Sequence, residues 1–95
     1  MVQSISVNQL KDIKDAEIID IRSIEKYNDR HILNARNIPF EQLLIYPNKY
    51  LNKYMTYYVY CQKGTKSKLL CQTLNKQGYN VVSIIGGYEA WILNE

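Results

Sequence analysis

The chain of 95 residues has no apolar run near the roughly 20 residues that a membrane span requires, and no basic segment leading into an apolar stretch at its start. No membrane partner is expected, and the compartment expected is the cytoplasm. There are only two cysteines, Cys61 and Cys71, and no Cys-x-x-Cys pair. That excludes a disulfide framework and a cysteine zinc site, and leaves two reduced thiols. With one histidine, no cluster of metal ligands, no P-loop and no dinucleotide fingerprint, neither a metal nor a cofactor is predicted. Linkers, internal repeats and low-complexity stretches are also lacking. One domain over residues 1–95 is expected, because a second core would have too little interior at this length. Strong charge is missing too. A net charge of +3 and a pI near 8.8 favour an anionic ligand without demanding nucleic acid.

Tyrosine is abundant, with Tyr50, Tyr54, Tyr57, Tyr58 and Tyr60 crowded around Lys49 and Lys53. Aromatic and basic residues mixed in this way can stack single-stranded bases, each worth about 1–3 kcal/mol. Here the basic residues stop where a strand pattern begins. The segment is therefore read as an amphipathic stretch entering a half-buried strand, and no nucleic-acid partner is predicted.

Ser6-Val7-Asn8-Gln9 fits a capping box, with a short helix from Val7 to Ile13. Glu17 to Ile21 is a β-branched run suited to a buried strand. Ser23 caps a helical turn through Tyr27, an extended piece runs from Arg36 to Ile38, and a helix from Glu41 to Ile45 must stop before Pro47. Thr56 to Tyr60 reads as the next strand, Cys61 to Lys66 as a polar loop, and Ser67 to Gln77 as a helix carrying Leu69, Leu70, Thr73 and Leu74, ended by Gly78. Val81 to Ile85 is a last strand. After the turn Gly86-Gly87, a helix from Tyr88 to Leu93 is expected to bury Trp91 and Ile92, with Trp91 as a core plug. Strands alternating with helices imply an α/β fold, an open, mainly parallel sheet with helices on both faces.

Ligands of such sheets bind beyond the carboxyl ends of the strands, which is where Cys61 falls. The following Gln62-Lys63-Gly64-Thr65-Lys66-Ser67 leads into a helix, so backbone N–H groups and the helix dipole can converge there to hold an anion. With Lys63, Lys66 and Lys68 beside it, such a place favours thiolate over thiol. A thiolate in an anion cradle can take a sulfur atom as a persulfide and pass it on. Asp20 and Arg22 share one strand face, placed to brace the loop or to pair with Glu25. Cys71 lies well along the next helix, too far to bridge Cys61 without rearrangement, and is read as a packing thiol.

These residues resemble the rhodanese family over nearly the whole chain. The family's active loop is commonly Cys-x-x-Gly-x-Arg-Ser/Thr, and Cys61-Gln62-Lys63-Gly64-Thr65-Lys66-Ser67 follows it except at Lys66. Asp20, Arg22, Glu25, Tyr27, His31, Ile32, Ala35, Ile38 and Pro39 fall on the family's Asp-x-Arg and Gly-His-Ile-x-Gly-Ala region. There Arg30 and Asn34 replace usual glycines, which bears on the geometry of the turns. Gly78-Tyr79, Val81, Ile84, Gly86-Gly87 and Ala90-Trp91 resemble its C-terminal pattern.

The resemblance implies a sulfurtransferase of the thiosulfate:cyanide class, moving a sulfane sulfur through a Cys61 persulfide. The residues from Gln62 to Ser67 would form the donor cradle, with Asp20 and Arg22 in support. Its partners would be a small anionic sulfur donor, a thiol or cyanide acceptor, or a protein persulfide. It also places His31 in a turn, in a structural role. Two alternatives stand beside it. A cysteine-loop phosphatase or arsenate reductase needs five residues between Cys and Arg, a place that Ser67 holds. A non-catalytic partner-binding module would use the basic face near Lys63, Lys66 and Lys68.

Overall fold

The computed structural model describes residues 3–95. Five strands form one parallel sheet: β1 (Ser4–Ile5), β2 (Glu17–Asp20), β3 (Arg36–Asn37), β4 (Thr56–Tyr60) and β5 (Asn80–Ile84). Their spatial order is β1-β5-β4-β2-β3, with every neighbouring pair parallel. The central strands are apolar on both faces, as a covered parallel sheet requires. In β4, Tyr57 and Val59 face one core and Tyr58 and Tyr60 the other.

Helices cover both faces. On the first lie α3 (Phe40–Ile45) and α5 (Thr65–Lys76), packed through Leu43, Leu70, Cys71 and Leu74. On the second lie α1 (Val7–Lys11) and α6 (Gly87–Leu93), which bury Val7, Leu10 and Tyr88 against Ile32, Tyr60 and Ile84. Two short helices, α2 (Ile24–Asp29) and α4 (Pro47–Tyr50), complete the chain.

Local chemistry sets most of the element ends. Ser6 and Gln9 make the reciprocal capping box of α1 at 3.1 and 2.8 Å. Gly78, at φ +95°, ends α5 in a Schellman motif: its N–H donates to the Asn75 carbonyl and that of Tyr79 to the Leu74 carbonyl. Asn34 also takes a left-handed φ of +70°, one of the few side chains that does so readily. Arg30 is extended at φ −158°, a conformation open to any residue, so glycine is not required there.

Several sequence expectations are corrected. Helix α1 ends at Lys11 rather than Ile13, and β2 ends at Asp20 rather than Ile21. Pro47 stops α3 but also starts α4, at the first helical position where its missing N–H costs nothing. Helix α5 begins at Thr65, earlier than Ser67, because Gly64 serves as its N-cap. It buries Ser67, Leu70, Cys71 and Leu74, whereas Leu69 is 58% exposed. Ile92 is 40% exposed, Trp91 is only half-buried with Lys11 Nζ 5.1 Å from its ring, and Tyr88 fills the core place expected of them. Strand β1, too short to carry a periodicity, is an addition.

Candidate active site

Cys61 follows β4 directly, and its Sγ is met from the loop ahead. The Gly64 N–H donates to Sγ at 3.1 Å and the Ser67 N–H at 3.3 Å. These are the N-cap and third helical positions of α5, whose N–H groups have no partner within a helix. The sulfur therefore satisfies two orphan donors, an arrangement that stabilises negative charge on it. The Ser67 hydroxyl is 3.6 Å from Sγ, 2.9 Å from the Ser83 hydroxyl and 3.3 Å from the Gly64 carbonyl, which ties the loop to β5.

The other side of the loop is held by the start of α6. Tyr88 N–H donates to the Cys61 carbonyl at 2.9 Å and Glu89 N–H to the Gln62 carbonyl at 3.1 Å. This approach needs Gly87: a Cβ there would lie 2.4 Å from the Cys61 carbonyl oxygen. Its left-handed φ of +59° adds to the requirement.

Beneath the loop is a buried polar network. Arg22 Nη2 meets Asp20 Oδ2 at 2.7 Å and Nε meets both carboxylate oxygens at 3.1 Å. Arg22 Nη1 donates to Gln62 Oε1 at 3.1 Å and Nη2 to the Arg30 carbonyl at 2.6 Å, while the guanidinium lies 4.2 Å from the Tyr88 ring. Burial opposes the Arg22 charge, but the hydrogen bond and attraction of Asp20 outweigh it and hold the pKa above its ordinary value. Tyr60 O–H donates to Asp20 Oδ2 at 2.6 Å and accepts the Ile32 N–H at 3.1 Å. Its burial, and then that bond to Asp20, push the phenol well above its ordinary pKa and keep it a donor.

A cavity of about 400 Å3 opens over Cys61, lined by Ile21, Arg22, Ser23, Lys26, Cys61, Gln62, Lys63, Thr65 and Lys66. Of the residues singled out in the sequence, Arg22, Cys61, Gln62, Lys63, Thr65 and Lys66 line it, while Gly64 and Ser67 touch the sulfur instead. Asp20 stands behind Arg22, which braces Gln62 and makes no ion pair with Glu25. Lys68 is exposed on α5 away from the cavity lining, and His31 stacks on Tyr27 at 3.8 Å with Nδ1 at 2.8 Å from the Tyr27 carbonyl.

Sequence reasoning missed Lys26, Tyr60, Ser83 and the loop-holding role of Gly87. Tyr60 had a local signal, since it precedes Cys61 and pairs in register with Asp20. Lys26 had none, because only the tertiary fold sets α2 across from the loop. Among the described residues no group of His, Cys, Asp and Glu is placed to hold a metal ion, and no helix is long and apolar enough to cross a membrane.

A parallel α/β sheet with a cysteine at a strand end, held in a loop that opens a helix, defines a cysteine-loop α/β protein. Residues 6–94 match the rhodanese-like domain family, and the chain belongs to that family. It is 37% identical over 79 residues to a Coxiella burnetii protein named thiosulfate sulfurtransferase GlpE, covering 82% of this chain and 73% of that one. An uncharacterized Bacillus subtilis protein, YqhL, is 35% identical over 79 residues; the match covers 82% of this chain but 62% of the relative's length. The crystal structure of a rhodanese-like domain protein from Staphylococcus aureus superposes with a TM-score of 0.85 at 31% identity, covering 95% of this chain and 91% of that one.

Proposed function

We propose that the chain is a sulfurtransferase that carries a sulfane sulfur as a persulfide on Cys61. The observation that carries the proposal is a sulfur receiving the N–H groups of Gly64 and Ser67 at 3.1 and 3.3 Å on the wall of a cation-lined cavity. With thiosulfate as donor, the Cys61 thiolate attacks the outer sulfur, the donor's sulfur–sulfur bond breaks, and sulfite leaves with the bonding pair. A thiol or cyanide acceptor then attacks the outer sulfur of the persulfide, and Cys61 departs as thiolate; cyanide leaves as thiocyanate. A protein persulfide can serve as donor or acceptor by the same exchange.

Gln62, Lys63, Thr65 and Lys66 form the donor cradle, Gly64 and Ser67 hold the sulfur, and Asp20 and Arg22 fix Gln62 from below. Lys66 is a mobile point charge where the family commonly has a planar arginine fork, so it grips donor oxygens less tightly. The position an arginine would hold in a cysteine-loop phosphatase is Ser67, which is buried and bonded to Ser83. That supports sulfur over phosphoryl transfer. The presence of Cys61 in a formed cradle supports catalysis over a purely partner-binding module. Two unpaired, buried cysteines suit a reducing cytoplasm.

The test is mass spectrometry of the protein after thiosulfate treatment. One added sulfur on Cys61, released as thiocyanate by cyanide, is expected. Persistent absence of that sulfur with every donor, or rapid aryl phosphate hydrolysis dependent on Cys61, would overturn the proposal.

A further inference from the structure

Tyr60 is fully buried in the second core, on the opposite face of the sheet from Cys71, and takes no part in lining the cavity over Cys61. Its hydroxyl nevertheless belongs to a chain of hydrogen bonds that ends in that cavity. The buried Ile32 N–H donates to the Tyr60 oxygen at 3.1 Å, and the hydroxyl proton goes to Asp20 Oδ2 at 2.6 Å. The carboxylate can only accept, and it takes the Arg22 backbone N–H at 2.8 Å together with the guanidinium Nε and Nη2. Arg22 is thereby held with Nη1 turned toward the loop, where it donates to Gln62 Oε1 at 3.1 Å.

What this chain decides is the orientation of an amide. A guanidinium donates and never accepts, so the end of the Gln62 side chain that meets Arg22 must be its oxygen. The amide nitrogen is left on the outer side, where Glu89 Oε2 lies at 3.4 Å, long for such a bond and easily exchanged for another acceptor. Because Gln62 lines the cavity, a directed N–H donor stands beside Cys61. Lys26, Lys63 and Lys66 in the same lining are mobile point charges, which attract any dianion alike. A directed N–H does discriminate: it bonds well to oxygen and weakly to sulfur.

We infer that Tyr60 is a positioning residue that acts through Asp20 and Arg22 to aim the Gln62 amide at donor oxygens, and so makes the site favour oxygen-bearing donors over sulfur-only donors of equal charge. The inference rests on the reading of Cys61 as the sulfur carrier. Burial and the bond to Asp20 keep the phenol protonated, so the chain of donors persists at neutral pH. Thiosulfate and tetrasulfide are the two donors that separate oxygen from charge, since both are dianions and only the first has oxygens. With tetrasulfide the Cys61 thiolate attacks a sulfane sulfur, one sulfur–sulfur bond breaks, and the shorter polysulfide leaves with the bonding pair.

The experiment measures rate constants for loading Cys61 from each donor by mass spectrometry, with no acceptor present, and takes the ratio of thiosulfate to tetrasulfide. Gln62→Met is expected to lower that ratio about three- to tenfold, and Tyr60→Phe, which keeps the ring and loses the hydroxyl, about two- to fivefold. The double variant should fall no further than Gln62→Met, because Tyr60 acts only through Gln62. A merely structural loss slows both donors together and leaves the ratio where it was. A ratio unmoved by either single variant, or lowered by Tyr60→Phe as much without Gln62 as with it, overturns the inference. Failure of both donors to load the wild type overturns instead the reading of Cys61. In the wild type, independently of any variant, the Tyr60 hydroxyl proton should exchange slowly and the Gln62 side-chain amide signals should move on titration with sulfate. A freely exchanging hydroxyl or an unmoved amide overturns the inference as well.

Discussion

Cys61 and Cys71 are both unpaired and both buried, at 4% and 0% exposure, yet their surroundings differ in kind. Cys61 ends a strand and receives two backbone N–H groups. Cys71 lies within α5 among Ile19, Val59 and Leu74, where burial, and then the proximity of Cys61, push its thiol up to about 12. Exposure alone thus fails to tell a nucleophile from a packing atom. Polar groups aimed at the sulfur make the distinction.

The sharpest way to break this comparison is to exchange the roles of the two thiols. Cys61→Ser is expected to abolish thiocyanate formation, whereas Cys71→Ala should keep most of it and cost about 1–2 kcal/mol of stability from the small cavity left behind. Iodoacetamide should label Cys61 in the folded protein and reach Cys71 only after unfolding. Rapid native labelling of Cys71, measured by peptide mass spectrometry, would remove the distinction.

The next largest effect concerns how the loop is held. Gly87→Ala places a methyl 2.4 Å from the Cys61 carbonyl oxygen, against backbone that cannot yield without moving the sulfur. A loss of roughly 2–4 kcal/mol and at least a tenfold fall in sulfur transfer are expected. Gly78→Ala has the same kind of left-handed strain, but its nearest neighbour is the Lys53 ammonium at 3.6 Å, at the end of a flexible side chain. It should cost about 1–2 kcal/mol and leave transfer intact. Urea unfolding and thiocyanate release, measured on both variants, decide whether the contact or only the strain matters.

The contrast also explains how much was legible in the sequence. Strand β4, the cysteine at its end and the loop after it follow from short-range signals: a β-branched and aromatic run, a glycine, and helical spacing afterward. The parallel α/β architecture follows from the alternation of elements. The start of α5 has no side-chain signal, because Thr65 is a weak helix former and no capping side chain precedes it, and only Gly64 in a left-handed conformation fixes the cap. Lys26 and the grip of α6 on Cys61 and Gln62 were invisible because each joins segments far apart in the chain. The spacing of Asp20 and Arg22 signals a brace, whereas Tyr60, which fixes Asp20, carries in the sequence only the signal of a strand former.

The smallest expected effect is alkaline and follows from Cys71. Its thiol has an ordinary value of 9.0 and is raised to about 12 in the fold, so between those values the unfolded chain has released a proton that the folded chain retains. Unfolding then gains from deprotonation, and stability must fall as pH rises through this window, whereas below 9 the contribution is fully present. Tyr60, whose ordinary value is 10.0 and which burial also raises, acts in the same direction from pH 10 upward, so the two overlap over most of the window. The urea midpoint should drop steadily above pH 9, and Cys71→Ala should flatten the slope between pH 9 and 10 and lessen it above, where the decline tied to Tyr60 remains. An unaltered slope in Cys71→Ala would show that Cys71 reaches solvent in the folded state, and the two thiols would then differ less than their surroundings suggest.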